Sequence, residues 1–162
     1  MAACDFILKI EGVDGESNYQ KAAGAIDIEA WNWAEAQAGS HANGSGGGTG
    51  KVNMHDLHFT MKVNKASAKL ALACASGEHL KKALLICRKA GKEQFEYLKI
   101  TLSDVLVSSF QMGGSSRANV VPLDQCSLNY AKIEWEYRTQ KQDGSLGPPI
   151  KTGWELKTNR AV

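Results

Sequence analysis

Hydrophobic and polar positions alternate with a period of two over most of this chain, the pattern of strands with one face buried. In residues 5–11, Phe6, Leu8 and Ile10 alternate with Asp5, Lys9 and Glu11, and Ile7 is the exception on the polar side. Between residues 25 and 34, Ile26 and Ile28 face inward while Asp27 and Glu29 face outward. At Ala30 the phase flips, and Trp31 and Trp33 become the bulky pair with Asn32 opposite. A one-residue shift exchanges the faces of a strand, so this spacing predicts a bulge or a bend between two sheets. Residues 52–63 predict one long strand, with Leu57, Phe59, Met61 and Val63 on one face and Asp56, His58, Thr60 and Lys62 on the other. Strands are also expected over 80–88 and 94–110, joined at the KAGKE turn, with Leu98, Ile100 and Leu102 alternating with Lys99 and Thr101. Residues 126–140 set Ile133, Trp135 and Tyr137 against Lys132, Glu134, Glu136 and Arg138. That mixed-sign row predicts a solvated surface, or the wall of a water-filled space. An Asp143-Gly144 turn and a stiff Pro148-Pro149 pair lead to a last short strand or edge in GWELKTN.

One stretch breaks the rule of two. Residues 67–79, SAKLALACASGEH, hold good helix formers and no β-branched residue. Ser67 is expected to cap the helix N-terminus, and Gly77 to end it in the left-handed conformation. Leu70, Ala71, Cys74 and Ala75 recur at the spacing of one buried stripe. A single short helix in a β-rich chain predicts a plug on one end or flank of the sheet structure.

The glycine-rich run GSHANGSGGGTG at 39–50 invites a phosphate-binding reading, which fails. The pattern G-x-x-x-x-G-K-[ST] would need glycine at Ser45 and a hydroxyl at Val52, beside the acceptable Gly50 and Lys51. In G-x-G-x-x-G the sixth position always falls on Thr49, Lys51 or Asn53. A strand follows, so no helix N-terminus is available to hold a phosphate. The run predicts a long flexible hairpin or crossover loop, a common kind of contact element. Residues 12–24 and 113–119 are expected as further surface connections.

Composition narrows the function classes. The 162 residues fit one domain spanning 1–162, near the prior of roughly 150 residues and large enough for a real core. Lys plus Arg total 19 and Asp plus Glu 17, a formal +2 that gives no global pull toward nucleic acid or anionic lipid. No apolar run reaches the roughly 18 residues of a membrane-spanning helix, so no membrane insertion is expected. The first residues, MAACDFILKIEG, read as a strand rather than a leader, so synthesis in the cytosol without a cleaved signal is expected. Cys4, Cys74, Cys87 and Cys126 lie far apart with no C-x-x-C pair, and are expected as small buried hydrophobes rather than disulfides.

Candidate chemistry is sparse. In HDLH, His55 and His58 stand three apart on a strand and so on opposite faces, which disfavours a shared metal ion. There is no G-x-S-x-G elbow, no H-E-x-x-H and no acid pair that sequence places at one site. No catalytic, cofactor-binding or metal-binding residue is expected. The residues alone give a mainly β chain, a small barrel or sandwich with one helix and a long glycine loop. One rival is a monomeric β-barrel binding a small apolar ligand, though large residues such as Phe59 and Trp135 would occupy its interior. Another is a hydrolase using a histidine among His41, His55, His58 and His79, for which no partner residues can be named.

Seven segments in order carry a family resemblance: FILKIEGVDGES, IDIEAWNWA, GSGGGTGKVNMHDLHFT, LACASGEH, KALLICRKAG, FEYLKITLSDVLVSS and PIKTGWELKTN. From Phe6 to Asn159 the chain resembles the Hcp family, the haemolysin-coregulated inner-tube proteins of bacterial type VI secretion. It departs from the family most in the 113–123 loop and the 142–149 turn. The resemblance implies a two-sheet β-barrel flanked by one short helix, with the glycine-rich loop projecting from it. It also implies a homohexameric ring, stacked into a tube inside a contractile sheath and tipped by a trimeric spike protein. Sheath contraction would expel the tube from the cytoplasm, and the ring lumen would hold and protect effector proteins. On this reading Asn32 is a candidate lumen residue. Gly44, Ser45, Gly46, Gly47, Gly48, Thr49, Gly50 and Lys51 form a loop expected to reach a neighbouring subunit or the next ring.

Overall fold

The computed structural model describes residues 4–39, 51–89, 94–117 and 121–162. Its elements in chain order are β1 (Cys4–Ile10), β2 (Ile26–Ile28), β3 (Ala30–Asn32), β4 (Glu35–Ala36), β5 (Asn53–Met54), β6 (Leu57–Lys62), α1 (Ser67–Ser76), β7 (His79–Lys89), β8 (Glu96–Gly113), β9 (Leu123–Tyr137), β10 (Ile150–Glu155) and β11 (Arg160–Ala161). The main sheet runs β11-β10-β9-β8-β7-β1-β2, with β6 also on β9 and β3 on β6. β2 and β3 are one stretch of chain that changes partner. Ile26–Ile28 pairs with β1 and Ala30–Asn32 with β6, while the Glu29 N–H between them donates to the Thr60 carbonyl at 2.8 Å. This switch is the bend that the phase flip at Ala30 predicts. It brings the β1 edge over to β6, so the sheet folds back around one core. Among the described residues the ladders form no unbroken cylinder, and "barrel" describes the mainly β architecture only loosely.

The buried face changes parity along a line across three neighbouring strands. Consecutive buried positions step from Leu80 to Ala83 on β7, from Leu102 to Val105 on β8 and from Tyr130 to Ile133 on β9. The register aligns these steps: Leu80 opposes Val105, which opposes Tyr130, and Ala83 opposes Leu102, which opposes Ile133. A step of three in place of two exchanges the faces of each strand at the same level, so the sheet is creased there. Asp104 sits on the crease with φ 53°, a left-handed conformation that aspartate tolerates better than most residues. Leu8, Leu85, Leu102, Leu128 and Ile133 are fully buried inside the fold, each worth about 1.5–3 kcal/mol of burial.

A smaller cluster lies on the other side of β1 and β7. Ile7, Ile86, Tyr19 and Ala25 are buried together there. The segment between β1 and β2, which carries a single 3-10 turn at Gln20–Ala22, supplies Tyr19 and Ala25. Ile7 therefore breaks the alternation because a loop covers the face that alternation leaves to water. Gly15 permits that cover, since a Cβ at this position would stand 2.5 Å from the Ala25 carbonyl oxygen.

The helix packs on β8 and ends at Ser76, with Gly77 left-handed (φ 68°) as expected. Its N-cap is Ala66, not Ser67. No side chain caps the first turn; Asn64 instead turns the chain into the helix, its side-chain oxygen accepting from the Ala66 N–H at 2.8 Å. Ser67 is buried and its hydroxyl donates to Asp124 at 2.5 Å. The inward stripe is Ser67, Leu70 and Ala73; of the expected stripe Leu70 is buried and Cys74 packs half-buried on the core, whereas Ala71 is only half-buried and Ala75 is exposed.

Other expectations need adjustment. The long strand over 52–63 breaks at His55 and Asp56 into β5 and β6. The strand expected at the chain end begins earlier, at Ile150. Among the cysteines, all free, Cys87 and Cys126 are buried, Cys74 is half-buried and Cys4 is exposed. Burial pushes the Cys87 and Cys126 thiols up to about 12, so they stay protonated and behave as apolar filling.

Asp124 is fully buried beside the first turn of α1, where the helix dipole favours a negative charge. Truncation in Asp124→Ala leaves the buried Ser67 hydroxyl without its acceptor and should cost about 2 kcal/mol. Urea unfolding should show a lower midpoint at unchanged slope. Asp124→Asn, which keeps an acceptor oxygen, should cost less.

Candidate functional site

The outer surfaces on the two sides of the crease differ in chemistry. Across β8, β9 and β10, Lys99 opposes Glu136, which opposes Lys151, and Ser103 opposes Lys132, which opposes Glu155. Lys151 and Arg138 approach Glu136 at 3.6 and 3.3 Å, and Lys132 approaches Glu134 at 3.4 Å. Such solvated pairs contribute about 0–1 kcal/mol each. Their larger effect is a surface of alternating sign that favours one docking register over another.

Beyond the crease, β3, β6, β9 and the end of β8 line an open groove of about 530 Å³. Two rows cross it. In one, Asn32 opposes His58, which opposes Ser127, which opposes Ser109; in the other, Ala30, Thr60, Gln125 and Gln111 follow in register. Among the described residues that line it, none is Asp, Glu, Lys or Arg. The side chains of Asn32, His58, Thr60, Gln111 and Gln125 make no hydrogen bond or ion pair within the described residues. Lys62 pairs with Glu29 at 3.7 Å, and Asp56 accepts from Ser108 at 2.5 Å and Asn129 at 2.9 Å.

Asn32 thus lies in a neutral polar groove. Gly44, Ser45, Gly46, Gly47, Gly48, Thr49 and Gly50 lie outside the described residues, and Lys51 is exposed just before β5. The β4–β5 pair, with Glu35 opposite Met54, forms the base from which that loop leaves. An aromatic anchor fixes this base. The Trp33 indole N–H donates to the Tyr130 hydroxyl at 2.5 Å, which donates to the His55 carbonyl at 2.8 Å, and the Trp33 ring lies 5.2 Å from that of Trp135. Burial pushes the Tyr130 hydroxyl up to about 12, so it remains a donor at any physiological pH.

His79 places Nδ1 2.9 Å from an Asp104 oxygen, and Lys157 lies 3.3 Å from the other. The His79 hydrogen bond, then that from Lys157, holds the Asp104 carboxyl below the usual range. No described hydroxyl or thiol bonds to His79. Among the described residues no group of three or more His, Cys, Asp or Glu side chains could hold a metal ion. His41 lies outside the described residues. Gln111 and Gln125 escape sequence reasoning. Their signal was uncharged polar residues at a period of two, which reads equally well as plain surface.

Charge also ties the segment between β1 and β2 to the sheet. The Arg88 guanidinium lies 4.1 Å over the Tyr19 ring, donates to Gln94 at 2.8 Å and approaches Asp5 at 3.4 Å. The Tyr19 hydroxyl donates to Glu96, which Lys99 approaches at 3.0 Å. Burial, then the Glu96 carboxylate, pushes the Tyr19 hydroxyl up to about 12. Burial by itself would raise the Glu96 carboxyl, but the Tyr19 hydroxyl and the Lys99 ammonium outweigh it and hold the group below its ordinary value.

Comparison with known proteins follows the whole fold. Residues 7–137 match the family described as "Type VI secretion system effector, Hcp". The chain is 45% identical over 159 residues to Protein hcp1 of Pseudomonas aeruginosa, covering 97% of this chain and 98% of that one. Among solved structures, Hcp1 from Salmonella typhimurium is 33% identical with TM-score 0.83, each chain covered completely. A type six secretion system protein is 30% identical with TM-score 0.93, covering 99% of this chain and 100% of that one.

Because Glu96 ionises more readily folded than unfolded, its contribution is complete above about pH 4.5 and is lost as pH falls through the lower folded value. Glu96→Gln should therefore lower the urea midpoint at neutral pH and flatten its decline below about pH 4.5. Midpoints measured across an acid pH series check both effects.

Proposed function

We propose that this chain, which belongs to the Hcp family of type VI secretion proteins, is a structural subunit that closes with copies of itself into a six-membered ring, and that such rings stack into a tube. The observation that carries this reading is likeness from end to end, with 97% of this chain aligned to 98% of Protein hcp1 of Pseudomonas aeruginosa. The surface chemistry supports it. A ring subunit needs head-to-tail contacts that happen to close, and a surface of alternating charge around Glu136 suits such a contact. It also needs a wet inner wall, and the groove around Asn32 has the required polarity. Asn32 accordingly faces the lumen. Gly44–Gly50 and Lys51, carried on the β4–β5 base, reach a neighbouring subunit or the next ring.

In this reading the protein works by assembly and performs no reaction. Its partners are itself, a trimeric spike protein, a contractile sheath and the effector proteins held in the lumen. It is made in the cytoplasm and expelled by sheath contraction. A monomer binding a small apolar ligand inside the fold finds less support, because Phe59, Leu102, Leu128 and Ile133 are buried there.

Native mass measured at several protein concentrations should give six times the subunit mass. A lone subunit at every concentration overturns the ring. Deletion of residues 43–50 should leave that mass unchanged and reduce light scattering from stacked tubes. Undiminished scattering with an intact fold removes the loop from the stacking contact.

A further inference from the structure

The inner face of the folded-over sheet runs out of cover at its β9–β10 end. On β9, Ile133 is fully buried, but Tyr137 is 46% exposed, and its cross-strand partner Ile150 on β10 is 64% exposed. Trp135 and Trp154 lie on the same face, since Trp135 opposes Thr152 and Trp154 opposes Ile133. With Met54 of β5 and Glu35 of β4 they line a second open pocket of about 550 Å³, which shares no lining residue with the groove around Asn32. Glu35 and Met54 oppose one another across the β4–β5 pair, so the carboxylate is on the side from which Met54 packs against the core. Glu35 is the one charged residue among the described residues that line this pocket, and it makes no ion pair with any described residue. The Trp154 indole N–H is buried with no acceptor among the described residues, an uncommon state for a buried donor.

The backbone beside the pocket is open as well. β11 pairs with β10 only at Trp154 and Glu155, and the Val162 N–H then donates to the Gly153 carbonyl at 3.1 Å. The backbone groups of successive residues in a strand alternate between its two edges. The Leu156 N–H donates to Ala131 on the β9 side at 2.8 Å, so even-numbered residues face β9, and Lys151, like Gly153, faces outward. Among the described residues no strand lies against Lys151 on that side. Pro148 and Pro149 stand just before this edge, which keeps it short and limits indiscriminate pairing. A segment extended along the line of β11 would bond to the Lys151 peptide group. Its residues before and after that bond would then lie opposite Ile150 and Thr152, with side chains on the inner face.

Aromatic faces beside an unpaired carboxylate attract a cation, and Ile150 with Tyr137 offers apolar surface one row away. We propose that this end of the sheet takes up an extended segment of a partner polypeptide. A basic side chain of that segment enters the pocket of Trp135, Trp154 and Glu35, and an apolar one two residues away covers Ile150 and Tyr137. The contact goes beyond the ring reading and does not need it.

The test uses the full chain and fluorescein-labelled Thr-Arg-Thr-Val-Thr, read by anisotropy. A second peptide carries citrulline, the uncharged isostere of arginine, and a third carries Glu in its place. The Arg peptide should bind about tenfold more tightly than the citrulline peptide, and the Glu peptide more weakly still. Glu35→Gln should cost the Arg peptide about fivefold and leave the citrulline peptide unchanged. Lys151→Pro, which removes the outward N–H, should weaken the Arg and citrulline peptides alike, whereas Lys151→Ala should weaken neither. Arg and citrulline peptides within about twofold of one another overturn the proposal, as does acetylarginine amide competing as well as the whole peptide. Binding that appears only after deletion of residues 43–50 assigns the surface to the chain's own loop and overturns it too. Binding confined to concentrations at which native mass shows a lone subunit places a second copy there, which removes the separate partner and leaves the ring.

Discussion

The crease across β7, β8 and β9 is the constraint on which the rest of this structure depends. A sheet of alternating residues can bury only one of its faces while it stays regular. By stepping three residues instead of two at Leu80–Ala83, Leu102–Val105 and Tyr130–Ile133, all three strands exchange faces at one level and keep their apolar residues inside a folded-over sheet. A step on one strand alone would set its apolar row against its neighbours' polar rows. The alignment of the three is therefore the structural requirement, and the left-handed Asp104 marks where the backbone meets it. The switch of partner at Glu29 completes the arrangement, because the folded-over sheet still needs a strand to join β1 to β6.

The crease also separates two surfaces written on the same strands. Along β9 the outward residues are Gln125 and Asn129 before it, and Lys132, Glu134 and Glu136 after it. The odd-numbered set is uncharged and the even-numbered set carries mixed charge. A continuous strand without the parity change would have mixed the two sets on one face. Instead one side of the molecule presents amides and hydroxyls around Asn32, and the other presents ions in alternating rows around Glu136. Neither surface adds much to stability, since exposed ion pairs are worth little and the five groove side chains are unbonded. Their chemistry is free to serve contact with other molecules, which suits a family whose members work in secretion assemblies.

Much of this was legible in the chain, for definite reasons. Period-two alternation located β6, the first half of β8, the second half of β9 and, with Ile7 as the exception, β1, because each sets one face on the main core. The phase flip at Ala30 located the change of partner because the two tryptophans were too large to stand outside. Gly77 located the helix end because few other residues tolerate its conformation. The cap was misplaced for a tertiary reason: Ser67 has the chemistry of a cap, but its hydroxyl is drawn inward to Asp124, a residue far away in sequence. The inward stripe of α1 shifted with it. The crease itself was hidden, since each three-residue step looks like an ordinary irregularity until the register sets the three side by side. The groove was hidden in the same way. Asn32 stood out against its flanking tryptophans, whereas Gln111 and Gln125 acquire meaning only when pairing places them in its neighbourhood.

On the proposed reading, a subunit that assembles with copies of itself faces opposite demands on its two surfaces. Contacts between copies must be specific in register, and alternating charge supplies specificity chiefly by penalising the wrong alignment. A surface turned toward varied contents must avoid that same selectivity, because any fixed charge would favour some contents and exclude others. Satisfying both demands on one small sheet requires that the outward residues change in kind partway along each strand. The parity change meets that requirement by construction. Once the sheet is folded over, residues on the two sides of the crease no longer share an outer surface, and each set can be adjusted without disturbing the other. The three-residue step that keeps the core apolar is thus also what lets one strand carry two unlike surfaces.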